Sequence, residues 1–196
     1  MKIIHGQNII AGDRGLEALY QLKIVPNHIV GDFDSVSPEI LEFYKNQSQI
    51  IFHTYHPEKD NTDTDIALKL AISLKSSEIT IMGALGRRMD HAIANIHILK
   101  DALETNIPCQ ILDEHNRIYL INKEITLEKD KIYGKYISLI PLTSEVEGLT
   151  LTGFKYPLNN YDLPIGTSLG VSNEIVENIA QIKMKKGILI VIESKD

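Results

Sequence analysis

The chain has 196 residues, of which 43% are hydrophobic and 23% are charged, a composition that excludes a disordered protein and suits one or two compact domains. Its formal net charge of -6 argues against a nucleic-acid partner, because proteins that bind phosphate backbones carry a basic face. The single cysteine, Cys109, excludes intrachain disulfides and zinc sites built from cysteines. No apolar run approaches the roughly 20 residues of a membrane span, and the N-terminus lacks a signal-peptide core, so we expect a cytoplasmic protein without a membrane partner.

The first part of the chain alternates short apolar strands with helices. Helical spacing of apolar residues begins after Gly15, near Pro38, after Asp65 and at Asp90. Strands are predicted at 8–11, 29–31, 50–52, 79–82 and 109–112. This alternation predicts parallel βαβ units covered on both faces, that is, an α/β fold, with four charged strand-to-helix loops along one edge.

After Asp113 the pattern changes to short β-rich runs without an intervening helix. Strands are predicted at 118–121, 125–127, 136–140, 149–151 and 188–192. The change predicts a smaller antiparallel domain, a sandwich or a barrel, with the boundary near Asn122. We therefore expect an α/β domain over residues 1–122 and a β domain over residues 123–196.

Two carboxylates, Asp32 and Asp34, follow the β-branched run that ends at Gly31. In open α/β sheets, ligands bind at the carboxyl ends of strands, where loops gather polar groups. Neighbouring carboxylates repel each other and lose hydration there, so a divalent metal ion is expected to offset the cost. Alternatively, each aspartate is a turn former, and the Asp-x-Asp pair also matches phosphatases that form an aspartyl-phosphate.

A second group of acids precedes and opens the third predicted helix: Asp60, Asp63 and Asp65. Thr62 and Asp65 are typical of a capping box, which accounts for acids in the first helical turn but leaves Asp60 unexplained. From residue 32 to 65 there are eight acids and two lysines, a net of six negative charges. Together with the Asp32 pair, this segment predicts a Mg²⁺ site built from oxygen ligands, and its glycine and glutamate positions do not fit an EF-hand.

The loop from Gly83 to His91 supplies positive charge. Gly83 and Gly86 permit close backbone approach, while Arg87 and Arg88 offer donors to phosphate oxygens, and a helix N-terminus at Asp90 adds amide donors. A surface loop with two solvated arginines is the alternative. Neither a P-loop nor a Gly-x-Gly-x-x-Gly motif occurs in the sequence, so a nucleotide would be held by a different set of loops.

In the second domain, residues 166–174 form a polar segment with small side chains, for which the residues alone favour a plain hairpin connection. Taken in order, however, the motifs along the chain resemble those of bacterial thiamine pyrophosphokinases. The matching pieces are Asp13-Arg14-Gly15, Gly31 to Ser35, Lys59 to Asp63, Gly83 to His91, Asn95, Tyr156-Pro157-Leu158 and Gly170 to Glu174. They follow the family's order and cover nearly the whole chain.

The resemblance implies a Rossmann-like α/β/α nucleotide domain followed by a small antiparallel β-sandwich that binds thiamine. It also implies a homodimer with active sites at the subunit interface. In the implied reaction, the hydroxyl of thiamine attacks the β-phosphorus of ATP, which gives thiamine diphosphate and AMP. Phosphoryl-type transfer depends mainly on positioning and on charge neutralisation, which carboxylate-bound Mg²⁺ and arginines supply.

The resemblance also implies residue roles. The catalytic and triphosphate site is assigned to Asp32, Asp34, Asp60 and Asp63, and the metal ligands are Asp32, Asp34 and Asp63. Nucleotide contacts are assigned to Asp13, Lys59, Gly83, Gly86, Arg87, Arg88 and Asp90. Thiamine contacts are assigned to Ser168, Ser172 and Asn173. Asp34 and Asp63 are both candidates for the base that accepts the hydroxyl proton.

The sequence departs from the family in two places and leaves two other functions open. Only 12 residues precede the Asp13 loop, so the first βα unit is expected to be shortened or the chain incomplete. Asp65 stands where the family more often has glutamate. The alternatives are a phosphatase with Asp32 as its nucleophile and a non-catalytic sensor that binds thiamine or a nucleotide.

Overall fold

We describe residues 7–34, 36–54, 61–86 and 88–196 from a computed structural model of the chain. The chain divides into two compact units, residues 1–76 and 77–196. The first contains β1 (Ile10–Gly12), α1 (Asp13–Gln21), β2 (His28–Gly31), α2 (Pro38–Lys45), β3 (Ile51–Thr54) and α3 (Asp63–Ser73). The second contains β4 (Ile79–Met82), α4 (Met89–Glu104), β5 (Cys109–Leu112), β6 (Asn116–Ile121), β7 (Ile125–Glu128), β8 (Tyr136–Pro141), β9 (Glu145–Thr152), β10 (Leu158–Pro164), β11 (Asn173–Glu174), β12 (Ile179–Lys183) and β13 (Leu189–Ser194).

In the first unit, β1, β2 and β3 form a parallel sheet in that order. Its core contains Leu16, Ile29 and Tyr44, all fully buried, and the rings of Phe33 and Phe52 pack against it. Pro38 begins α2, as expected for a residue whose fixed φ suits the first helical turn. Parallel strands end at the same edge of a sheet, so the residues that follow β1 and β2 are neighbours.

The second unit contains a β-sandwich. A six-stranded sheet has the order β11-β8-β13-β6-β5-β4, and a four-stranded sheet has the order β10-β9-β12-β7. Apolar residues from both sheets share one core, among them Leu139 and Val191 from the larger sheet and Leu149 and Ile182 from the smaller one. Helix α4 packs on the other face of the larger sheet, where Leu99 meets Ile111, Ile118 and Ile190.

One buried acid ties the strands of the larger sheet together. Glu193 on β13 has no exposed surface and accepts hydrogen bonds from Arg117, from the hydroxyl of Tyr119 at 3.0 Å and from the backbone N–H of Tyr133 at 2.6 Å. Burial and the nearby carboxylate both raise the pKa of Tyr119, which therefore stays a neutral donor. A buried charge with three donors is costly to disturb.

The predicted fold class is confirmed, since parallel βαβ units precede an antiparallel sandwich. The strands at 79–82 and 109–112 have the predicted bounds. Strands β4 and β5 belong to the six-stranded sheet, whereas β1 to β3 form the three-stranded sheet, and the expected single edge of strand-to-helix loops stays a prediction. After β5 the chain makes a tight antiparallel turn, in which Asp113 accepts from the N–H groups of His115 and Asn116, and it returns along β6.

Three strands, β10, β11 and β12, were not predicted from the sequence. β10 pairs with β9 through two register irregularities, which break the alternation of buried and exposed residues, and β11 is only two residues long. The boundary near Asn122 stays a prediction. Within the described ranges, none of the helices is long and apolar enough to cross a bilayer.

Candidate active site

Three carboxylates meet at the carboxyl edge of the parallel sheet of the first unit. Asp13 follows β1 directly as the first residue of α1, and Asp32 and Asp34 follow the adjacent strand β2. One oxygen from each of the three carboxylates lies within 4.8 Å of the others. Such a spacing allows a single cation to contact all three.

Asp13 is the most buried member of this group, with 5% of its surface exposed. Its carboxylate lies against the backbone of Gly31, since a Cβ built on that glycine would be 1.7 Å from Oδ1 of Asp13. The backbone N–H of Phe33 lies close to the carboxylate and lowers its pKa, against the effect of burial. Oδ1 itself is buried and has no hydrogen-bond partner among the described residues.

Burial and neighbouring charge make the ionised form of Asp13 unfavourable. Burial, followed by the charges of Asp63 and Asp32, raises the pKa of Asp13 from 3.8 to about 6. Asp63, the first residue of α3, therefore faces the same strand end, and its Cβ is 3.6 Å from the position a Cβ would take on Gly12. The site concentrates negative charge that a cation would relieve.

Asp65, two residues further along α3, has different contacts. The N–H of Asp65 donates to the hydroxyl of Thr62, and its carboxylate pairs with Lys69 one turn later at 3.1 Å, so Asp65 has the capping position predicted for it. Lys59 and Asp60 lie outside the described residues, as does Ser35. Among the predicted site residues that the structure describes, Asp13, Asp32 and Asp34 lie together, and Asp63 lies beside them.

In the second unit, the loop between β4 and α4 is open. Gly83 has a φ of +73°, and no heavy atom lies within 4 Å of a Cβ built on Gly83 or on Gly86. The side-chain amide of Asn95, which is buried, holds this loop by donating to the carbonyl of Ala84 at 2.9 Å. The loop therefore presents backbone to solvent while α4 anchors it.

Arg88 and Asp90 form an exposed pair at the start of α4. The guanidinium of Arg88 donates to both oxygens of Asp90, with 3.1 Å between Nε and Oδ1. This hydrogen bonding lowers the pKa of Asp90 to about 2. More than 60% of each side chain is exposed, so water screens the pair and Arg88 can exchange Asp90 for another anion. Arg87 lies outside the described residues.

The segment assigned to thiamine has one buried residue and two exposed ones. Asn173 is buried, and its side chain clamps Tyr156 by accepting from its N–H at 3.1 Å and donating to its carbonyl at 2.8 Å. Ser168 and Ser172 are exposed, and the N–H of Ser172 donates to the hydroxyl of Ser138 at 3.0 Å. Tyr156 itself is 60% exposed, so the clamp fixes an aromatic ring at the surface.

The nucleotide contact expected of Asp13 stays a prediction, and the structure adds that its carboxylate lies beside those of Asp32 and Asp34. The signal was present, because Asp13 follows a strand just as Asp32 does. The left-handed backbone of Phe33, between Asp32 and Asp34, has no signal in the sequence.

Two family models match the chain. Residues 3–111 match the model described as thiamin pyrophosphokinase, catalytic domain, and residues 122–189 match thiamin pyrophosphokinase, vitamin B1 binding domain. Thiamine pyrophosphokinase of Bacillus subtilis (strain 168) is 38% identical over 188 residues, which cover 95% of this chain and 87% of the relative.

Solved structures agree with these matches. The crystal structure of thiamine pyrophosphokinase from Bacillus subtilis superposes with a TM-score of 0.90 and 36% identity, covering 99% of this chain and 90% of that one. The thiamin pyrophosphokinase structure from Geobacillus thermodenitrificans gives a TM-score of 0.86 and 31% identity, with 99% and 89% covered.

Proposed function

The chain belongs to the thiamine pyrophosphokinase family, and we propose that Asp13, Asp32 and Asp34 form the Mg²⁺ site of its reaction. The enzyme transfers the pyrophosphoryl group of ATP to the hydroxyl of thiamine, giving thiamine diphosphate and AMP. The observation that carries the metal proposal is the approach of three carboxylate oxygens to within 4.8 Å of one another.

The donor set fits Mg²⁺. All three side chains offer oxygen, the ligand that hard cations prefer. Oδ1 of Asp13 is buried without a hydrogen-bond partner among the described residues, so it is an acceptor that a cation can occupy. When bound, Mg²⁺ neutralises phosphate oxygens and polarises the phosphorus that is attacked.

Asp63, which the sequence predicts as a metal ligand and as a candidate base, is proposed here to be the base. Asp63 borders the three-oxygen group, where its charge acts on Asp13. We assign to its carboxylate the proton that leaves the thiamine hydroxyl. The base must lie close to the reacting groups, and a carboxylate that does not coordinate the metal can accept a proton there. Asp60 and Lys59, expected at the triphosphate, stay predictions.

The loop of the second unit is proposed to bind phosphate oxygens. Gly83 and Gly86 leave its backbone accessible, and Arg88 is an exposed donor whose fork geometry matches phosphate. Arg87 keeps the same predicted role from the sequence. Asp90 holds the Arg88 guanidinium in place until an anionic phosphate competes for it.

The segment 168–173 is proposed to bind thiamine. Ser168 and Ser172 expose their hydroxyls, whereas the polar atoms of Asn173 are engaged with Tyr156, so Asn173 acts by fixing that ring. Val171 and Leu169 in the same segment are 47% and 54% exposed. These exposed apolar side chains support the proposal that a second subunit covers this surface in a homodimer.

The homodimer proposal has a direct test. Asp34→Asn disables the carboxylate site, and Ser172→Tyr, at an exposed position, blocks the thiamine segment. If one active site uses the carboxylates of one subunit and the thiamine segment of its partner, mixing the two variants restores about a quarter of wild-type turnover, because half the dimers are mixed and each has one intact site. If a confirmed mixed dimer shows no restored turnover, the carboxylates and the thiamine segment of one active site belong to the same subunit.

The metal proposal is tested by product analysis of Asp34→Asn. The wild-type protein, with ATP, Mg²⁺ and thiamine, forms AMP and thiamine diphosphate in equal amounts. We expect Asp34→Asn to lose both products by a factor of about 100 or more while its circular dichroism stays unchanged. Retained turnover would show that this carboxylate group is not the metal site. The family match favours the transferase over the sensor alternative, and a cytoplasmic location stays a prediction.

A further inference from the structure

Phe33 occupies an unusual backbone conformation between two of the carboxylates. Its φ is +66°, in the left-handed region that bulky side chains rarely adopt. A left-handed residue turns the chain back on itself, and the N–H of Asp34 donates to Oδ1 of Asp32 at 3.3 Å across this turn. The conformation of Phe33 therefore draws its two neighbours together.

The ring of Phe33 is held in the core of the first unit. It packs edge to face against Phe52 on β3, with 6.0 Å between the ring centroids, and it contacts the buried cluster that includes Ile29 and Tyr44. An unfavourable backbone conformation persists only where the surrounding structure holds it. The aromatic contact with Phe52 is such a restraint.

The backbone of Phe33 also reaches the third carboxylate. Its N–H lies close to the carboxylate of Asp13, which the adjacent Gly31 accommodates because it lacks a Cβ. The amide of this residue thus lies beside Asp13, and its backbone angles set the positions of Asp32 and Asp34. All three belong to the group whose oxygens lie within 4.8 Å.

We propose that Phe33 is a positioning residue, whose ring, held by Phe52, fixes the left-handed turn that arranges the three carboxylates for a divalent cation. This inference rests on the proposed metal site. It assigns the aromatic residue of the Asp-Phe-Asp segment a part in metal affinity, beyond the burial of apolar surface. Positioning groups of this kind change metal affinity about 10-fold to 100-fold when they are removed.

Four variants of the full chain separate positioning from folding. Phe33→Gly removes the ring but adopts the left-handed backbone without strain. Phe52→Ala removes the support and leaves Phe33 in place, while Phe33→Tyr keeps the ring. Leu41→Ala is the matched control, because Leu41 packs against the same core from α2. The probe is Mn²⁺ alone, titrated by calorimetry without nucleotide, with the melting temperature of each metal-free variant measured in parallel.

We expect Phe33→Gly and Phe52→Ala to bind Mn²⁺ about tenfold more weakly than wild type, and Phe33→Tyr to bind it as wild type does. Leu41→Ala lowers the melting temperature and leaves Mn²⁺ affinity unchanged. Wild-type affinity in Phe33→Gly overturns the inference, as does equal weakening in Leu41→Ala. Asp34→Asn distinguishes failure of the proposed metal site from failure of the positioning role of Phe33. If this variant binds Mn²⁺ as wild type does, the proposed metal site is wrong, and the positioning role is wrong with it.

Discussion

Replacing Asp13 by asparagine should make the metal-free protein more stable and catalytically inactive. Burial and the neighbouring charges raise the pKa of Asp13 from 3.8 to about 6. A raised pKa means that the folded chain holds the proton more tightly than the unfolded chain does. The preferential protonation of Asp13 in the folded chain therefore stabilises the fold fully below pH 3.8. This stabilisation is lost as the pH rises to about 6. The difference between a pKa of 3.8 and one of about 6 corresponds to about 3 kcal/mol.

Asparagine has nearly the same shape and stays neutral, so Asp13→Asn avoids this loss. We expect its free energy of unfolding in EDTA at neutral pH to exceed that of wild type by up to about 3 kcal/mol, with the difference vanishing near pH 4. Urea denaturation followed by far-ultraviolet circular dichroism measures it, since the chain has no tryptophan. Added Mg²⁺ should stabilise wild type and leave the variant unchanged.

The exposed Asp130→Asn is the matched control, because it removes one negative charge without relieving burial. It should keep wild-type turnover and a free energy of unfolding within about 0.5 kcal/mol of wild type. The reasoning is refuted if Asp13→Asn is no more stable than wild type at neutral pH in EDTA, or if it still forms thiamine diphosphate at the wild-type rate.

Further substitutions test the packing around the site and the sandwich. Gly31→Ala places a Cβ 1.7 Å from Oδ1 of Asp13 and should lower turnover about 100-fold. Gly15→Ala, with no atom within 4 Å of its Cβ, should retain turnover; equal losses would contradict the steric argument. Glu193→Gln should destabilise the protein by about 3–5 kcal/mol because it disrupts a fully buried charge with three donors. The exposed Glu128→Gln should not change the urea midpoint. A similar loss of stability in Glu193→Gln and Glu128→Gln would contradict the argument from burial.

Local sequence rules predicted much of the first unit because its signals are local. A β-branched run ending at Gly31 and followed by Asp32 marks a strand end, and Pro38 marks the start of a helix. The neighbouring ends of β1 and β2 then follow from parallel pairing. Asp13 could have been assigned to the carboxylate group by the same argument.

The features that the sequence did not predict depend on contacts between residues far apart in the chain. β5 joins the six-stranded sheet because the turn at Asp113 returns the chain along β6, a pairing that periodicity alone does not reveal. β10 was not predicted because irregularities in its register with β9 break the alternation of buried and exposed residues. The left-handed conformation of Phe33 depends on the distant ring of Phe52, so a residue with no left-handed preference of its own adopts it.

We propose that the carboxylate group of the first unit holds the catalytic metal. Anomalous diffraction from crystals soaked in Mn²⁺ tests it most directly, because the peak locates the metal independently of activity. We predict a peak within bonding distance of the carboxylate oxygens of Asp13, Asp32 and Asp34, and its loss in Asp34→Asn. A peak elsewhere on the chain, or one that persists at full height in the variant, would contradict the claim.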